Sequence, residues 1–337
     1  MRFYINILTT YYPDLDPSYD VYYQQILEQI ELAEELGWEC FMFNEHHFLG
    51  YGGLVANPAV LLAAAAARTS RIRLGPCIAI LPLRHPLQSA EDYAMVDAVS
   101  GGRLEFGIGS GNTPLDYQVF DVQREEGQER MEEALEIILK AWSSERFNHQ
   151  GKFWSFDEIT LYPRPVQQPH PPVWVAGTSV PTLEWAGRRG YDIMTVGHPH
   201  PPEKVGPGVE AWKKALIRNG IDPKRRRCQF HVRTHVNENA ERARETAMAA
   251  VTRYDAISRI ARKSSMVETD NYDWEGMLAT GRNLYGNPQQ CIEIIHNAMR
   301  HYYFDTLTTT FNFGGIFHGE IKKSMRLFAG QVMPTFR

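Results

Sequence analysis

"NPAVLLAAAAARTSRIRLGPCIAILPLRHPLQSAEDYAMVDAVSGGRLEFGIGSG", residues 57–111, reads as helix, strand, helix, strand. Pro58 and the apolar run Ala59 to Ala67 predict a helix over 58–68. IRLGPCIAIL (72–81) is continuously apolar rather than alternating, the pattern of a strand covered on both faces. Pro86 to Val99 is the next helix and LEFGIGSG (104–111) the next strand. Strands of this kind joined by helices build a parallel sheet wrapped on its outside.

The alternation continues in both directions. Strands are predicted over 2–9, 40–45, 173–177, 192–197, 229–236 and 306–315. Helices are predicted over 21–36, 126–142, 182–189, 203–219, 239–258, 288–302 and 321–331. Eight strands in 337 residues give an α/β chain folded as one (β/α)8 TIM barrel spanning 1–337, with a doubly wound open sheet as the alternative. GKFWSFDEITLYPRP (151–165) reads as a hairpin excursion. Residues 259–285 lack steady periodicity, and a loop that long inside a domain is usually functional or disordered. It is read as a lid-like insertion beside the barrel mouth.

The formal net charge is −5 at pH 7, which argues against nucleic acid or anionic membrane as a partner. Lys224, Arg225, Arg226 and Arg227 form a basic cluster best read as a solvated face. MRFYINILTT lacks the features of a signal peptide, and the run Ala59 to Ala67 is far too short to cross a bilayer. Four scattered cysteines without a CxxC pair fit reduced thiols in a cytoplasm.

Catalytic groups of such a barrel project from the C-terminal tips of its strands. The expected tips carry Glu45, His46 and His47; Cys77 and Ile78; Gly109, Ser110, Gly111 and Asn112; Gly177, Thr178 and Ser179; Gly197 and His198; His235; Asn312 and Gly314. Small residues let a broad planar ligand approach the backbone, and Ser, Thr and Asn supply hydrogen bonds, so together they point to a large cofactor. His46 and His47 are neighbours and point to opposite sides of a strand, and no HExxH follows, so an acid/base role outweighs a metal site. GIGSGN (107–112) is a weak dinucleotide signal because no helix follows at once. In AGTSVPTLEW (176–185) a strand end, two hydroxyls and a helix start would suit a phosphate, against plain capping by Ser179 or Thr182.

As an ordered set the motifs resemble the bacterial luciferase family of flavin-dependent monooxygenases. EHHF (45–48), the 57–75 and 81–111 stretches, EWAGRRG (184–190), NPQQCIEII (287–295) and SMRLFAGQVMP (324–334) carry the likeness, which is nearest to the luciferase catalytic chain. The resemblance implies a TIM barrel that takes reduced FMN from a separate flavin reductase and reacts it with O2. The resulting C4a-peroxyflavin oxidises a small organic substrate. It places the catalytic histidine on His46, a non-prolyl cis peptide beneath the flavin at Cys77–Ile78, and phosphate contacts on Gly177, Thr178 and Ser179. The family's Cys-Arg pair after the fourth strand is here Gly109-Ser110, which removes a phosphate-binding cation and a bulky group beside the flavin. Arg84 is one substitute for that cation. A homodimer is implied in the same way.

Two other functions are compatible with the motifs: hydride transfer with the deazaflavin F420, and a non-catalytic partner subunit. Retention of His46 and of the 259–285 insertion tells against the second. Tyr51, Tyr117 and Trp274 are expected near the mouth and suit an apolar or aromatic substrate.

Overall fold

The computed structural model describes residues 1–48, 50, 53–262 and 272–337. The first half runs β1 (Arg2–Ile7), α1 (Tyr19–Leu36), β2 (Cys40–Phe43), α2 (Pro58–Arg68), β3 (Arg73–Pro76), β4 (Ala79–Ile80), α3 (Pro86–Ser100), β5 (Phe106–Gly109), α4 (Pro114–Val119) and α5 (Gly127–Ser143). The hairpin β6 (Phe147–Gln150) and β7 (Ser155–Ile159) follows, then β8 (Val173–Ala176), α6 (Val180–Arg189), β9 (Asp192–Val196) and α7 (Pro202–Arg218). The last part is β10 (Cys228–Val236), α8 (Ala240–Arg262), α9 (Trp274–Ala279), β11 (Asn283–Gly286), α10 (Pro288–His301), β12 (Thr306–Thr310) and α11 (His318–Gln331).

The strands pair in parallel in the order β3-β2-β1-β12-β10-β9-β8-β5-β4. Because β3 and β4 are successive pieces of one strand, split at Cys77–Ile78, the path returns on itself and makes a barrel of eight staves. Several helices begin where the sequence supplies caps. Asn57 accepts from Ala59 N ahead of Pro58, and Asn287 with Gln290 forms a reciprocal capping box ahead of α10.

Most apolar side chains lie between sheet and helices, in one continuous layer from Phe3 to Met333. A smaller cluster of Tyr4, Cys40, Met42, Trp174 and Met194 fills the barrel interior. Below it lies a charged network. Glu105, 1% exposed, accepts from Arg227 at 2.8 and 3.0 Å, from Trp174 Nε1 at 2.6 Å and from Arg73 Nε. Arg227 also donates to Asp192 at 2.8 Å and Tyr4 OH at 2.9 Å, and lies over the Trp174 ring. Burial alone would raise the Glu105 carboxyl, but Arg227 and Arg73 more than offset it and hold its pKa below the usual value.

Three expectations need correction. The hairpin starts earlier than residue 151, because Phe147–Gln150 is its first strand and 151–154 its turn. The eighth stave ends at Thr310 rather than 315, and the chain turns at 314–315, where α8 crosses above it. Gly314, with φ +60°, sits under that helix, where any side chain would strike the Ala250 carbonyl. Much of 259–285 is regular: α8 runs to Arg262, α9 follows, and β11 pairs in parallel with the upper half of β10. Four residues ending in glycine gave β11 no periodicity to read. Residues 263–271 of the expected lid lie outside the described residues, as does Tyr51.

Removing Glu105 would leave two guanidiniums without their shared acceptor. Glu105→Ala is expected to cost about 3–5 kcal/mol of stability, the range for breaking a buried ion pair from one side. Urea unfolding checks this, and a loss below about 1 kcal/mol would show the network to be dispensable.

Candidate active site

At the C-terminal ends of the staves lies a cavity of about 370 Å³. It gathers six of the seven expected site residues: His46, Cys77, Ile78, Ser110, Gly177 and Thr178. Ser179 lies outside the lining; its hydroxyl caps α6, accepting from Thr182 N at 3.4 Å and donating to Thr182 Oγ1 at 2.9 Å. The Gly177 N–H is already bonded to Met194 O at 3.1 Å within the sheet. Arg84 is bound to Asp92 at 2.9 Å and is not part of the lining.

Glu45 organises the second stave's tip. Its buried carboxylate accepts from Ile80 N at 3.1 Å and contacts His47 Nε2 at 3.2 Å. His47 is thereby turned away to pack edge-on against Phe120, while His46 faces the cavity. Among the described residues no group of three His, Cys, Asp or Glu side chains could hold a metal ion. The third stave is broken by the Cys77–Ile78 peptide, which is cis. A side chain at Gly109 would collide with Ile78 Cδ1, so the space vacated by the absent cysteine is filled by Ile78 and is not open room. Tyr117 does not line the cavity; its hydroxyl donates to the Ser110 carbonyl and supports that turn from behind. Trp274 packs against the main core and Tyr272, and His235 and Asn312 are buried off the cavity.

Of the far wall, only His198 was among the expected strand tips. His231 and Arg233 project from β10, His198 from the end of β9, and Asp255 and Ser258 from α8. Asp255 accepts from Tyr272 OH at 2.7 Å and Arg233 Nη2 at 3.3 Å, and lies 3.8 Å from His198 Nε2. Burial would raise its pKa, but Arg233 and then His198 and Tyr272 overcome this and hold it well below the usual carboxylate value. Asn283 donates to His198 Nδ1 at 3.3 Å, which leaves the ring proton on Nε2, facing Asp255. A signal existed in QFHVRTHV: an arginine between two histidines on the inward face of an apolar strand is costly unless it is used. Nothing comparable marked Asp255 and Ser258, which reach the cavity only because α8 crosses the eighth stave.

Burial, with Arg233 next, pushes His198 down to about 4 and His231 down to about 3 from 6.5. Both rings are neutral in the folded chain near pH 7, yet unfolding would let them charge below pH 6.5. Stability is therefore complete above about pH 6.5 and falls as the pH drops toward 4, by up to about 2 kcal/mol per ring at pH 5. Urea midpoints at pH 7.5 and 5 test this, and equal midpoints would contradict it.

Several known proteins are similar to the chain. An uncharacterized protein of Sinorhizobium fredii, y4wF, is 34% identical over 54% of this chain and 54% of its own length. The oxygenase component of the flavin-dependent trigonelline monooxygenase of Acinetobacter baylyi is 31% identical over 51% of this chain and 48% of its own. The chain thus spans about half the length of these relatives. The alkanal monooxygenase alpha chain of the Kryptophanaron alfredi symbiont aligns over 98% of both chains at 26% identity. Among solved structures, the monooxygenase RslO1 from Streptomyces bottropensis superposes with a TM-score of 0.93 at 29% identity, covering 100% of both chains. The oxygenating constituent of 3,6-diketocamphane monooxygenase from Pseudomonas putida, solved with FMN, shares the fold: TM-score 0.80, 21% identity, 100% and 99% covered. With residues 1–305 matched by the model of the luciferase-like monooxygenases, the chain belongs to that family.

Proposed function

We propose that this chain is the oxygenase component of a two-component system, oxidising a small organic substrate with O2 and reduced FMN supplied by a separate flavin reductase. One observation carries the reading: the positions matched to the family's flavin contacts, Cys77, Ile78, Ser110, Gly177 and Thr178, converge with His46 on a single cavity. The trigonelline relative, itself an oxygenase component, supports the two-component arrangement. The cavity's chemistry suits a flavin. Ile78, Ile80, Leu8 and Met194 offer apolar surface for a ring, and Asn44 Oδ1 and Gln229 Oε1 are buried acceptors without a partner among the described residues. A flavin ring carries N–H groups along its edge that can donate to such atoms. Reduced FMN supplies the electrons that activate O2. His46, at the cavity wall, holds or delivers the proton that this chemistry moves, and Thr178 binds the phosphate.

The direct experiment mixes the pure protein with FMN, NADH and any flavin reductase and follows oxygen uptake across a substrate panel. Substrate-dependent uptake with oxygenated product supports the reading. Reduction of F420 by substrate, without uptake, would replace it with hydride transfer. His46→Ala is expected to keep FMN affinity and the fold while product yield falls about ten-fold or more, equivalent to about 1.4 kcal/mol. Stoichiometric zinc lost in that variant would sink the acid/base role. Thr178→Ala removes a hydrogen bond to a charged group, worth about 1.5–3 kcal/mol, so FMN should bind roughly ten-fold or more weakly. Riboflavin, which lacks the phosphate, should be unaffected; equal losses would place the phosphate elsewhere.

A further inference from the structure

The far wall of the cavity carries more hydrogen-bonding capacity than the protein uses. Arg233 is 8% exposed, its guanidinium lies 4.6 Å over the Tyr254 ring, and one edge of its fork is given to Asp255. The other edge, Nη1, is buried without a hydrogen-bond partner among the described residues. Ser258 Oγ, on the same face of α8 as Tyr254, is buried in the same condition. Both residues line the cavity. An unsatisfied buried donor costs about 1–3 kcal/mol, more on a charged group, and such positions commonly await a ligand.

Charge decides what kind of ligand. Asp255 already neutralises Arg233, and Glu45 adds a carboxylate to the lining, so an oxyanion would find no uncompensated cation here. His198 and His231 are neutral and supply none. The open groups suit an uncharged acceptor oxygen. Position decides which molecule presents it. Counting around the barrel, β10 is the seventh stave and the Cys77–Ile78 break lies in the third, directly across the mouth. Arg233 also stands four residues beyond Gln229 on the same face of β10, roughly 13 Å nearer the opening. A ring resting on the third stave therefore leaves Arg233 and Ser258 facing the space above it, where a substrate would lie.

We propose that Arg233 and Ser258 form a subsite for the carbonyl oxygen of a neutral substrate, a ketone, enone or quinone, docked opposite the flavin. The proposal rests on the flavin reading above for where the ring lies. Arg233 Nη1–H and the Ser258 hydroxyl donate to the oxygen, Tyr254 fixes the plane of the guanidinium, and Asp255 holds its other edge. A hydrocarbon of the same shape would leave both donors unpaired and be rejected.

Three probes with similar ring bodies test this: 1-tetralone, tetralin and 1-naphthoate, titrated by ligand-observed NMR into the whole chain with and without FMN. Tetralone is expected to bind roughly ten-fold or more tightly than either of the others. Arg233→Lys, which keeps the charge beside Asp255 but not the fork, should erase most of that preference. Ser258→Ala, which alters no charge, should reduce it measurably and tests the subsite even if the lysine variant unfolds. FMN and riboflavin titrations of both variants should match the unaltered protein. Equal binding of tetralone and tetralin, or tightest binding of naphthoate, overturns the proposal. So does loss of affinity for FMN alone or for both flavins in Arg233→Lys, because the arginine would then serve the cofactor. If the unaltered chain binds no FMN yet keeps the ketone preference, the flavin reading fails and the subsite stands.

Discussion

The Glu105 carboxylate is the constraint on which the barrel depends. It lies inside the closed sheet below the apolar cluster, with Arg73, Trp174 and Arg227 converging on it from three other staves. Through Arg227 the network extends to Asp192 and Tyr4, so the lower parts of six of the eight staves are tied to one another. A buried ion network is weak evidence of stability, since apolar packing often does as well. What it supplies here is register. A strand shifted by one residue would turn its charged member out of the barrel and leave the partners unpaired. The upper tips, where the cavity lies, inherit their positions from this fixed base.

The cavity has two chemically different sides. On the third and fourth staves, Ile78 covers Gly109, and Ile80 extends the apolar surface. On the seventh stave and α8, charges and imidazoles face inward, and Asp255 is the acceptor that reconciles them. Burial, and then the charge of Arg233, keep the neighbouring histidines neutral, so the wall offers oriented donors without a net charge. Such a surface costs little reorganisation when a polar group arrives, which is the physical basis of preorganised recognition.

The path of α8 brings these sides together. The eighth stave stops at Thr310, and Gly314 lets the helix pass directly over its end, where Arg253 Nε donates to the Gly314 carbonyl at 2.7 Å. Helices of such a barrel ordinarily lie outside the staves. Here one turn of a helix completes the lining, and the discriminating groups sit on a rigid element rather than on a loop.

Much of this was legible in the residues. Continuous apolar strands, Pro at helix starts and Gly at helix ends give the eight staves and most helix limits, because burial on both faces and capping are local, periodic demands. The strand tips likewise marked His46, Cys77, Ile78, Ser110, Gly177 and Thr178 as neighbours, since strand ends in a barrel must meet. Tertiary structure alone decided the rest. β11 is four residues long and owes its extended form to the edge of β10, a partner 50 residues away in the chain. Ile78 took the space that Gly109 left, and α8 carried Asp255 and Ser258 to a cavity formed by strands far from them in sequence. Periodicity records which side of an element is buried; it cannot record which distant side chain will meet it there.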